Sequence, residues 1–207
     1  YEIMKKYIII VLICTMFVSC ARRSGHKKQN RQMASEKREI VSRLSNDDVS
    51  VHEDLRIEYG DDDEVLDGKT IFRKYGNAVF MVFTTDGTNT YQGSGFFINS
   101  HGLAVSNYHV FKGTAIGAEQ IKLVGSDTAF KVTRVVRSDE EEDFILFFVN
   151  VDDTPFIPIA KQKPSVGDKV YAIGSPRGLE NTFSSGEVSQ WRDTNLMQIN
   201  ALIDHGS

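Results

Sequence analysis

Cysteine is nearly missing from this 207-residue chain: there are two, Cys14 and Cys20. Both fall in the first 20 residues, so the remainder has no partner for an internal disulfide. A zinc-type cluster of cysteine and histidine is missing too, and the composition calls for no metal and no cofactor. Basic excess is absent: 24 Lys and Arg against 28 Asp and Glu leave a formal net charge of −4, which argues against a nucleic-acid binder. The longest apolar run, Tyr7 to Val18, is about a dozen residues, whereas a helix crossing the roughly 30 Å hydrocarbon core needs about 20. A permanent membrane span is therefore not expected, and no repeat of solenoid spacing is present.

The same apolar run sits inside "MKKYIIIVLICTMFVSC" (4–20), which has the anatomy of an export signal: two lysines, an apolar stretch, then small Ser19 before Cys20. Residues 1–20 are thus read as a signal that is removed, with Tyr1-Glu2-Ile3 lying upstream of its start methionine. Phe17-Val18-Ser19-Cys20 resembles the lipobox of bacterial lipoproteins, although Phe17 stands where an aliphatic residue is usual. The resemblance implies that Cys20 is the lipidated first residue and that the partner surface at this end is a membrane.

From Ala21 to about Arg43 the chain is basic and polar; from Asn46 to Asp67 the sign inverts, ending in "DDDEVLD". Apolar residues here never settle into a sustained period, so too little surface can be buried to offset ordering entropy. Residues 21–67 are expected to be a mostly disordered tether, with at most a short helix around Ser35 to Leu44.

After Gly68 the texture changes. "GKTIFRKYG" (68–76) reads as one or two helical turns. Short runs rich in Val, Ile and Phe then recur between Gly, Asn, Asp and Ser: "AVFMVF" (78–83), "GSGFFI" (93–98), "LAVSNYHVF" (103–111), "IKLV" (121–124), "FKVTRVV" (130–136) and "FILFFV" (144–149). "KVYAIG" (169–174), "GEVSQW" (186–191) and "LMQINALI" (196–203) continue the series. Regular short strands with turn signals predict an all-β barrel or sandwich.

Two residues stand out chemically. "GSGFFINSHGLAVSNYHV" reads as two strands around a turn at Asn99-Ser100-His101-Gly102, with Gly93 and Gly95 allowing close backbone packing. A strand burying Leu103 and Val105 would deliver His109 to its far end. Further along, Asp143 stands immediately before a six-residue apolar run, where a poorly solvated carboxylate needs a partner. An imidazole Nδ1–H would suit it, leaving Nε2 to take a proton from a hydroxyl nucleophile. The acidic neighbours Asp139 to Glu142 read as a solvated loop.

Three ordered segments together resemble trypsin-like serine proteases of the HtrA/Deg type. "GSGFFINSHGLAVSNYHV" resembles the family's G-S-G strand and T-N-x-H-V segment; "RSDEEED" before the apolar run resembles D-x-x-x-D-hydrophobic; "AIGSPRGL" and "SSGEVSQ" resemble A-I-G-x-P-x-G-L and T-x-G-I-V-S. The resemblance covers about Gly68 to Ser207 and implies a chymotrypsin-like double β-barrel, with the first barrel at 68–153 and the second, from 154, incomplete. It puts His109 and Asp143 at the catalytic base and its carboxylate. "QINALIDHGS" runs parallel to Q-T-D-A-A-I-N-P-G-N, so the nucleophilic serine would be the residue after Ser207; a one-residue slip would make it Ser207 itself. Asp204-His205 replaces the family's Asn-Pro pair, which bears on the oxyanion loop.

The implied function is a serine endopeptidase acting on unfolded or flexible proteins in the bacterial cell envelope, with these 207 residues alone inactive. Homo-oligomerisation is left open by the resemblance, as is a downstream PDZ module. A rival reading keeps the barrel as a catalytically inactive, peptide-binding lipoprotein. A purely structural β lipoprotein gives no reason for the motifs to occur in order.

Overall fold

The apolar alternation that starts after Gly76 closes on itself. In the computed structural model, which describes residues 55–60, 66–114, 117–174, 181–192 and 194–203, six antiparallel strands form a barrel in the order β1-β2-β3-β6-β5-β4. They are β1 (Val79–Thr85), β2 (Thr90–Phe97), β3 (Leu103–Ser106), β4 (Gln120–Leu123), β5 (Ala129–Asp139) and β6 (Phe144–Val149). A second sheet holds β7 (Lys169–Gly174), β8 (Thr182–Trp191) and β9 (Met197–Ile199) in sequence order. The chain is therefore all-β in class, as expected. The signal and Cys20, most of the expected tether, the "SPRGLE" stretch and residues 204–207, Ser207 among them, lie outside the described residues.

Period-two alternation decides which side chains fill the barrel. From β1 it is Phe80 and Val82, from β2 Phe97, from β3 Ala104, from β4 Ile121, and from β6 Ile145, Phe147 and Val149, all buried in one cluster. Phe80 meets Phe97 with ring centroids 4.7 Å apart and Phe147 edge-on at 6.4 Å. Burying a phenylalanine, valine or isoleucine side chain contributes about 1.5–3 kcal/mol, so the aromatic and aliphatic residues of this cluster stabilise the barrel together. Gly93 and Gly95 pair with Val82 and Phe80. A side chain at Gly95 would begin 2.5 Å from the Phe80 ring, so the glycine makes room for that ring.

The β2–β3 connection is the predicted tight turn. Gly102 takes φ 81°, and Asn99, 1% exposed, accepts from the backbone N–H groups of His101 and Leu103 at 2.9 and 3.0 Å. Buried amides of this kind are retained because every polar atom finds a partner. The remaining Asn99 amide donates to the Arg56 carbonyl at 3.1 Å. That contact helps hold residues 55–60 on the barrel, where Tyr59 makes a parallel bridge to Ile159 and Glu58 accepts from the Ile159 N–H at 2.8 Å. These six residues fall within the stretch expected as a tether; their order comes from backbone pairing, which leaves no periodic signature in sequence.

Helix α1 (Gly68–Tyr75) gives the helical turns expected there and is capped by Asp67, whose carboxylate accepts from the Thr70 N–H at 2.7 Å. Its buried residues Ile71 and Tyr75 join Val79 of the barrel to Tyr171 and Ile173 of the second sheet in one cluster. The helix thereby fixes the two sheets against each other.

One local expectation fails. The run 103–111 is not a single strand: β3 ends at Ser106, and Tyr108–Phe111 form a single helical turn, α2. Ala104 and Ser106 face inward while Leu103 packs outside with Ile98 and Phe148. His109 therefore sits on a helical turn and not at a strand end.

Candidate active site

The turn that carries His109 is seated by shape and by hydrogen bonds. Val110, one residue on, points into the barrel; the Cβ that Gly93 lacks would lie 2.6 Å from a Val110 methyl. Buried Thr84 donates its hydroxyl to the Val110 carbonyl at 2.6 Å. At the exposed end, Lys112 pairs with Glu140 at 2.5 Å, tying the turn to the acidic loop before β6.

Asp143 reaches the same turn from the other side. It precedes β6 in a left-handed conformation, φ 52°, which a residue with a short polar side chain tolerates better than most. In this pose its backbone carbonyl accepts from the Tyr108 N–H at 3.2 Å and its Oδ1 from the His109 N–H at 2.9 Å. The His109 ring meets Oδ2 through Nδ1 at 2.7 Å. An ionised carboxylate only accepts, so the proton of that contact is on Nδ1 and the lone pair is left on Nε2. His109 Nε2 is itself buried and has no hydrogen-bond partner among the described residues.

His109 and Asp143, 34 residues apart in sequence, are thus brought together by β3, α2 and β6. Such a pair can hold an imidazole in one tautomer and use the other nitrogen as a base. The acidic neighbours form a mostly exposed turn, with Asp139 Oδ1 accepting from the N–H groups of Glu141 and Glu142 at 3.0 Å each. Sequence reasoning missed Thr84 and Asn107 as residues that hold the site. Asn107, two positions before the histidine, was visible only as a motif letter.

The model of the trypsin-like peptidase domain matches residues 93–207, more than half of the chain and inclusive of both His109 and Asp143. The chain belongs to the trypsin-like peptidase family. Within it, the relatives are of the HtrA/Deg type read from the motifs. A probable periplasmic serine endoprotease, DegP-like, of Hahella chejuensis is 36% identical over 98 residues, covering 47% of this chain and 20% of that protein. Its counterpart in Rickettsia prowazekii is 33% identical over 128 residues, covering 56% and 24%. The chloroplastic Protease Do-like 1 of Arabidopsis thaliana is 32% identical over 103 residues, covering 48% and 23%.

A solved structure, the serine endoprotease from Yersinia pestis, superposes on this trypsin-like fold with a TM-score of 0.60 at 27% identity. That match covers 69% of this chain and 52% of the Yersinia chain. The chain spans between a fifth and a quarter of the length of the curated relatives it matches.

Proposed function

We propose that this trypsin-like peptidase domain belongs to a serine endopeptidase in which His109 is the general base and Asp143 its orienting carboxylate. The observation that carries the reading is the 2.7 Å Nδ1–Oδ2 contact, which leaves His109 Nε2 with a lone pair and no partner among the described residues. A serine hydroxyl is a weak nucleophile until a positioned base removes its proton in the transition state. Asp143 then stabilises the imidazolium, and backbone N–H groups of the nucleophile loop hold the developing oxyanion.

The nucleophile is proposed as the residue following Ser207, with Ser207 itself under a one-residue slip of the motif. The relatives' printed descriptions, periplasmic serine endoproteases, support protein substrates and an envelope location. Flexible or unfolded chains are the substrates proposed, and Cys20 the lipidated anchor to the membrane surface. Homo-oligomers are compatible with this reading. Asp204-His205, in place of the family's Asn-Pro, favours the second reading, a cleft that binds peptides without cutting them.

Fluorophosphonate labelling of the native-length protein separates the two, because it needs an activated serine. Labelling that disappears in His109→Ala is the expected outcome. In Asp143→Asn the neutral amide selects the wrong imidazole tautomer, and kcat on casein should fall by about 10⁴ with the fold intact. An unlabelled wild-type protein would sink the protease reading in favour of the binding module.

A further inference from the structure

Three consecutive residues, 107–109, each donate a hydrogen bond to Asp143, and the first of them does so in an unexpected way. Asn107 occupies the N-cap of α2, with φ −73° and ψ 139°, where an asparagine ordinarily bonds the backbone of its own helix. Its side chain makes no such capping bond. Instead the Asn107 amide Nδ2 donates to Asp143 Oδ2 at 3.0 Å and to the Asp143 carbonyl at 3.3 Å. Oδ2 is the very oxygen that receives the His109 Nδ1 proton.

We infer that Asn107 is a positioning residue, whose amide fixes the Asp143 carboxylate so that Oδ2 lies on His109 Nδ1. The inference rests on the reading of His109 as the base, and the geometry explains why a second donor is needed. Asp143 is in the left-handed region, φ 52°, and its side chain is 40% exposed, so neither backbone preference nor packing alone holds the carboxylate plane. The His109 N–H pins only Oδ1. Rotation about that single anchor would carry Oδ2 off the imidazole; the amide, bonded to carbonyl and carboxylate together, blocks it. Asn107 acts on the base through Asp143 and need not touch substrate.

The test is ¹⁵N NMR of the histidine rings in the native-length protein, His109 being assigned by the loss of its signals in His109→Ala. The wild type should show a single neutral tautomer, protonated at Nδ1, with a slowly exchanging low-field proton. Asn107→Ala should mix the tautomers, lose that proton to exchange, and lower kcat by about 10–100-fold while KM stays within about twofold. Asn107→Asp keeps the shape but faces an acceptor toward Oδ2; it should give the same signature, and it supplies the readout if the alanine variant folds poorly.

Lys112→Ala is the control, since it removes the exposed Lys112–Glu140 tie between the same two segments. It should leave the tautomer signature as in the wild type. An unchanged signature in both folded Asn107 variants, or an equal change in Lys112→Ala, would overturn the inference. A wild type that shows the Asn107-dependent signature yet never labels with fluorophosphonate would refute the protease reading and leave the positioning role standing.

Discussion

Replacing Gly93 by alanine should strike the site through its support, without touching a residue of the pair. The new Cβ would stand 2.6 Å from Val110 Cγ2 and 3.1 Å from Cγ1. Carbon atoms pack best at about 3.5–4.0 Å, so the two elements must separate by roughly 1 Å. Val110 cannot rotate out of the way: it is β-branched, 4% exposed, and its carbonyl is held by Thr84 at 2.6 Å. The displacement therefore passes to the α2 turn and to the 2.7 Å contact of its neighbour His109 with Asp143.

Overpacking of this kind costs about 1–3 kcal/mol. For a domain of this size each kcal/mol is about 2–5 °C in Tm, so a drop of roughly 2–15 °C is expected in a thermal melt. The decisive assay is a double-mutant cycle in urea with Val110→Ala. That change deletes the two methyls which the new Cβ meets, so the double variant should be about 1 kcal/mol or more better than the sum of the singles. Gly76→Ala serves as the reference, because its Cβ would meet nothing closer than the Phe72 ring at 3.6 Å. Strict additivity in the cycle, or a Gly93→Ala protein as stable as Gly76→Ala, would refute the steric argument.

Gly102→Ala should be the more severe change. Its φ is 81° and the Cβ would lie 2.2 Å from the Val149 carbonyl oxygen, so a melt should show a loss of several kcal/mol, or no folded protein, by the combined strain and clash. In the β1–β2 hairpin, Asp86 is held well below the usual carboxylate range, first by the Asn89 N–H, then by the Tyr91 hydroxyl, the Asn89 side chain and the Thr88 N–H. A depressed folded value means that its stabilisation is complete above the ordinary value of 3.8 and fades only as pH falls through the lower one. Tyr91, whose hydroxyl donates to Asp86 at 2.7 Å, is shifted up, chiefly by that bond; its stabilisation is present below the ordinary value of 10.0 and fades as pH rises beyond it. Urea midpoints of Asp86→Ala and wild type should therefore differ at pH 5–8 and converge in strong acid; a difference that persists unchanged there would count against the hairpin network.

Much of the barrel was legible from one-dimensional pattern. "FILFFV" and "KVYAIG" coincide with β6 and β7, and the Asn99–Gly102 turn falls where its residue chemistry puts it, because side-chain alternation and positive φ are local demands. The 103–111 run misled because Tyr108–Phe111 are as apolar as a strand would require. A single helical turn is too short to show a 3.6-residue period, and only the seating of Val110 against Gly93 and Thr84 reveals it. Residues 55–60 look like tether in sequence for a similar reason, since a backbone bridge to Ile159 makes no demand on side-chain type.

By itself the sequence determined the strand and glycine pattern, the family motifs, and the presence of a histidine and an aspartate in suitable order. Tertiary structure alone decided that those two meet at 2.7 Å, that Asp143 does so from a left-handed backbone, and that Asn107 bonds the aspartate in preference to its own helix. The physical reason is range. Alternation, turn residues and caps act over a few positions, whereas closing 34 residues into a hydrogen-bonded pair depends on how β3, β6 and the α2 turn pack once the barrel has formed.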